Sequence, residues 1–111
     1  MIHAKENGRT PAGERIFELS GETLLGRALV KDGVIVSVEI AEGENKGFYR
    51  DFLLRSVVFA LVESEEEIRT TFVDELLLKL GFAEDGQGGM CAEAGRITFK
   101  GSCSAQDRDV V

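Results

Sequence analysis

The chain has 111 residues, 43% hydrophobic and 30% charged, a balance that suits one soluble globular domain with a single core. Its formal net charge of −7 argues against a nucleic-acid partner, which needs Lys and Arg at the phosphates, and against an anionic membrane surface. No apolar run reaches bilayer length, because Arg55 and Glu63 bracket the longest one.

In chain order, residues 1–13 are polar, with a turn signal at Asn7-Gly8 and Thr10, Pro11 and Gly13 close behind. They read as an irregular lead-in with a short strand at residues 1–4. Residues 14–19 alternate around Ile16, Phe17 and Leu19 and predict a strand. Ser20-Gly21 is a turn, and residues 22–30 predict a second strand. Asp32-Gly33 is a two-residue hairpin signal. The strand that follows, Val34–Ile40, is apolar on both faces apart from Ser37 and Glu39, which places it in mid-sheet. A polar loop over residues 41–46 ends at Gly47 and feeds a long helix over residues 48–63. Residues 64–67 form an acidic connector and residues 68–73 a strand. Asp74 is placed to N-cap a short helix, Glu75–Leu80, which Gly81 stops. Residues 85–89 form a Gly-rich loop. Residues 90–94 and 96–100 predict a hairpin about Gly95, and residues 102–111 a frayed tail. The expectation is one α+β domain over residues 1–111: a mixed, mostly antiparallel sheet with one long and one short helix.

The chemistry-bearing residues are few. His3 is the only histidine, which removes the base of a Ser-His-Asp or Cys-His scheme. Cys91 and Cys103 lack metal-ligand spacing, so no metal is expected, and they read as free thiols in a reduced cytoplasm. Residues 1–7 do not predict a secretory signal. The Glu-rich stretch 63–67 lacks the spacing of a calcium loop and reads as a solvated connector. Phe48, Phe52, Phe59 and Phe72 are assigned to the core. Glu39 has two readings, a sheet-rim carboxylate or a catalytic base, and Ser37 shares its face. The strand–loop–helix junction at residues 34–63 has two readings: an ordinary strand-to-helix turn, or a site where open backbone N–H groups of the first helical turn attract anions, phosphates above all.

Two stretches, in order, resemble the GNAT superfamily of acyl-CoA-dependent N-acyltransferases. The first is VIVSVEIAEGENKGFYRDFLLRSV, where Gly47 matches the first Gly of the family's loop and Leu53-Leu54 its Leu pair. The second is ELLLKLGFAEDG, similar to the closing helix and Leu-Gly-Phe of the family; Leu25-Gly26-Arg27-Ala28 resembles its Gly-containing strand. The resemblance covers about residues 14–100 and lacks the usual N-terminal helices. It implies a reduced GNAT-like fold and acetyl-CoA or CoA as cosubstrate. The diphosphate would be bound by Asn45, Lys46, Gly47, Phe48 and Tyr49, with Ile40 beside the thioester arm. Two splayed strands, residues 34–40 and 68–73, would admit that arm. Glu39 would act as base toward an amine of a small molecule or protein. Three positions depart from the pattern: Glu44 stands where Arg or Gln is expected, Tyr49 where a small residue is, and Leu77 where a tyrosine is. They support the alternative, a non-catalytic GNAT-like interaction module that has lost coenzyme A. An uncovered sheet face in so short a chain would then be buried in a homodimer.

Overall fold

The structure, a computed structural model, describes residues 2–98. Its strands are β1 (His3–Arg9), β2 (Arg15–Ser20), β3 (Leu24–Lys31), β4 (Val34–Ile40), β5 (Glu67–Thr70), β6 (Ala83–Glu84) and β7 (Met90–Glu93). Helix α1 (Lys46–Leu61) joins β4 to β5, and α2 (Glu75–Leu80) joins β5 to β6. The sheet order is β1-β2-β3-β4-β5-β7-β6. Every neighbouring pair is antiparallel except β4 and β5, which are parallel as a helical crossover demands. The expected α+β class, with a mixed and mostly antiparallel sheet and one long and one short helix, is the architecture observed.

Asp32 (φ 54°) and Gly33 (φ 80°) both adopt left-handed backbone, as a type I′ hairpin requires, and Lys31 pairs with Val34 across the turn. Asp74 caps α2 as its position predicts: Oδ1 accepts from the Leu76 amide at 2.8 Å. Gly81 ends that helix at φ 111°.

Both helices lie on one face of the sheet. Leu53, Leu54, Val57, Val58 and Leu61 of α1 are buried at i, i+1, i+4, i+5 and i+8, one continuous stripe. They join Leu76, Leu77 and Leu80 of α2 and the inward residues of the strands, such as Leu19, Ala28, Val30, Ile35 and Ile68, in one core. Each buried Leu, Ile or Val side chain among them contributes roughly 1.5–3 kcal/mol by leaving water. Arg50 of α1 also ties to Asp74, the α2 cap, at 2.9 Å.

Four expectations need correcting. Residues 3–9, expected to be mostly irregular, form the edge strand β1. Its Asn7-Gly8 is not a turn but a bulge, two residues of β1 facing Ile16 alone, with Gly8 at φ 82°. The strand expected over residues 68–73 stops at Thr70, where Thr70 Oγ1 donates to the Phe72 carbonyl and the chain bends. The last hairpin closes on β6 and not beyond Gly95: β7 pairs with Ala83–Glu84 and with β5, and residues 94–96 form a 3-10 turn. Residues 99 and 100, the far end of the expected hairpin, lie outside the described residues, as do Cys103 and the expected tail. Finally, Phe48 and Phe59 are not in the core. They are 60% and 58% exposed, on the solvent side of α1, because the Leu/Val stripe takes the inner side.

Candidate functional site

The distinctive geometry lies where β4 and β5 part. They are paired only at Val34↔Arg69 and Ile35↔Thr70. The last ladder bond runs from the Thr71 amide to the Ile35 carbonyl at 3.2 Å, and Thr71 Oγ1 then donates to the Val36 carbonyl at 2.9 Å. Beyond that point β5 has ended, while β4 continues to Ile40 with no strand beside it on this side among the described residues. A bulge marks the same place. Val30 pairs with Ile35 but Leu29 with Ser37, so Val36 is the extra residue.

The bulge decides which backbone groups face the gap. Ala41 donates to the Leu25 carbonyl of β3 at 2.8 Å. Ladder alternation therefore turns residues 39 and 37 toward β3, and the N–H groups of Val38 and Ile40 toward the opening. Val38 and Ile40 point their side chains into the core, and Glu39 points to the opposite face of the sheet, away from α1.

At the end of β4 the chain crosses an exposed loop and enters α1. Asn45 occupies the N-cap position but makes no side-chain cap bond. The Lys46 amide reaches the Gly43 carbonyl at 3.3 Å and the Tyr49 amide reaches the Asn45 carbonyl at 2.9 Å. Between them, the amides of Gly47 and Phe48 have no acceptor among the described residues. They are the open donors of a first helical turn, at the positive end of a 16-residue helix.

The side chains around this turn are less favourable to an anion than its backbone. Lys46 Nζ is bound to Glu42 at 2.6 Å, on the surface. Glu44 is exposed in the loop. Arg50 holds Asp74 and lies 5.4 Å from the centre of the Phe72 ring, spanning from α1 to the segment after β5. Tyr49 is half-buried against the core, its ring 5.8 Å from that of Phe48. Leu77, where the expected resemblance would call for a tyrosine, is fully buried.

Three shallow hollows lie near the junction. One, about 290 Å³, is lined by Leu24–Arg27 and by Glu39, Ile40 and Ala41, so it contains both the expected base and the expected arm contact. Two more, about 220 and 330 Å³, share Asp51 and Arg55, and extend from Phe48 and Phe52 to the N-terminus of α2. Among the described residues no group of His, Cys, Asp and Glu could hold a metal ion, and no helix is long and apolar enough to cross a membrane.

The expected site residues thus fall into two groups. Asn45, Lys46, Gly47, Phe48 and Tyr49 share one turn of helix. Ile40 and Glu39 sit at the end of β4, on opposite faces. The reading of the sequence missed Thr71, which pins the bulge, and Arg50, which bridges to Asp74. Arg50 had a signal: a cation one turn into a helix whose sequel carries an Asp cap. Thr71 had none, since its role depends on where β5 stops. Compared with known proteins, the chain matches no family model, no curated protein and no solved structure.

Proposed function

We propose that the protein is a reduced GNAT-like domain that binds coenzyme A thioesters and transfers the acyl group to an amine. The observation that carries this reading is the coincidence of two features: a parallel strand pair that opens after two residue pairs, and an α1 N-terminus with two unpaired amides just beyond the open strand. The amides of Gly47 and Phe48 would take the diphosphate. The pantetheine arm would lie in the gap along β4, with the Val38 amide as donor to the thioester carbonyl. Glu39, on the far face, would meet the acceptor there. The amine nitrogen attacks the thioester carbon as its proton passes to Glu39. The C–S bond then breaks, and the thiolate leaves to be protonated by solvent, since Leu77 supplies no acid. Substrate positioning carries most of such a reaction.

The alternative, a domain of this shape without coenzyme, is favoured by one observation: the nearest lysine, Lys46, is already neutralised by Glu42, with Glu44 exposed beside it. A thermal-shift titration separates the two. Coenzyme A and acetyl-CoA should raise the melting temperature with concentration, by about 2.7 kcal/mol of added stability at a hundredfold excess over Kd. A flat response to both at millimolar ligand would overturn the transferase reading in favour of the interaction module.

A further inference from the structure

The sheet face opposite α1 and α2 has no covering element among the described residues, and its pattern is specific. Lys5 is in register with Glu18, Glu18 with Arg27, and Arg27 with Glu39. These four lie side by side across β1 to β4 as a row of alternating charge. Arg27 donates to Glu18 Oε2 at 3.0 Å, and Asn7 donates to Glu18 Oε1 at 2.7 Å. The next row on the same face is mostly apolar: Ile16 pairs with Leu29, and Leu29 with Ser37 beside the bulged Val36, all four only half-buried.

We propose that this face is a homodimer interface, occupied by a second copy of the chain. The argument is charge complementarity. A two-fold axis parallel to the strands reverses the row, so that each cation meets an anion: Lys5 faces the second copy's Glu39, and Glu18 its Arg27. An axis across the strands would set like charges opposite one another, so the row also selects the symmetry. The ladder sums to zero charge on a chain of −7, so it lets two copies approach without adding to their repulsion. Ile16, Leu29 and Val36 then supply the dry contact, with the sheets about 10 Å apart. The sheet edges do not compete. β1 is charged and bulged along its exposed side, which blunts strand-to-strand pairing, and β6 has two residues. The inference does not depend on coenzyme binding. Where both hold, the second copy's Lys5 stands beside Glu39 at the rim of the interface.

Sedimentation equilibrium without ligand tests it. The wild type should have twice the 12.1 kDa of one chain. Arg27→Glu, which sets Glu against Glu, and Leu29→Lys, which puts a charge into the apolar row, should each weaken the dimer at least about tenfold while circular dichroism stays folded. The exchange Glu18→Arg with Arg27→Glu restores the facing pairs and should restore the dimer. If Arg27→Glu fails to fold, Lys5→Glu on the edge strand reads the same ladder and should weaken the dimer in turn. A wild type of 12.1 kDa at its highest soluble concentration overturns the proposal. So does a dimer indifferent to the Leu29 and ladder variants, or an exchange variant that folds yet stays monomeric.

Discussion

Asp74 serves two partners with its two oxygens: Oδ1 takes the Leu76 amide and Oδ2 the Arg50 guanidinium. Asp74→Ala removes a helix cap and leaves Arg50 without its anion, and should cost about 1–2 kcal/mol in urea denaturation. Glu6 shows how charge couples to pH. Its two oxygens accept from Arg15 Nε and Nη2 at 2.8 and 2.9 Å, and this hydrogen-bonded pairing holds Glu6 below the usual glutamate value of 4.5. A carboxylate depressed in the folded state contributes stability above pH 4.5 and loses it as pH falls through the lower folded value. The pair is partly exposed, so screening limits it to roughly 0.5 kcal/mol. Glu6→Gln should therefore lower the melting temperature by about 2–4 °C at pH 7, with the difference vanishing well below pH 4. Glu44 is the residue whose change should help binding. On the proposed reading its carboxylate would repel a diphosphate at the α1 N-terminus, and each charge there would be worth about 1 kcal/mol at 4 Å in water. Glu44→Arg should tighten coenzyme A binding by about tenfold or more in isothermal titration, and a weaker affinity would place the diphosphate elsewhere.

Among the elements, the junction of β5 and β7 is the tightest. A Cβ on Gly89 would overlap the Thr70 carbonyl oxygen, and Thr70 Oγ1 meanwhile accepts from the Met90 amide at 3.0 Å. Gly89→Ala should cost about 3 kcal/mol, and hydrogen exchange should show its first losses in β5 and β7. This close approach was not legible in the sequence, where Gly88-Gly89 reads only as loop. The hairpin at Asp32-Gly33, the cap at Asp74 and the strand Val34–Ile40 were legible, because each rests on local backbone preference or continuous apolar character. β1 was not: His3–Arg9 has little strand propensity, and its order comes from pairing with β2, which sets Ala4 beside Leu19. The exposed aromatic side of α1 was also hidden. The helix is apolar around most of its circumference, so spacing alone could not tell the Phe48–Phe59 side from the Leu53–Leu61 side. In the candidate site, the presence of a helix start after the polar loop could be read ahead of the structure, although α1 begins at Lys46, two residues before the expected Phe48. The Val36 bulge and the early end of β5 could not, since both depend on pairing between distant strands.

For the molecule as a whole, one-sided construction accounts for the two surfaces on which the proposals rest. Both helices cover the same face of the sheet, the parallel pair opens where β5 stops at Thr70, and the other face is left with its charged ladder and mostly apolar row. On the proposed reading the diphosphate would sit on the helix side, and the acceptor would reach Glu39 from the β4 edge at the rim of the other face, with the gap between β4 and β5 joining the two. The most direct measurement is an amide-resolved NMR titration with coenzyme A. The account predicts saturable shifts first at Gly47 and Phe48, together with Val38 and Ile40 along the open edge of β4. Unmoved signals at these four amides at saturating coenzyme A, or shifts clustered away from this junction, would contradict it.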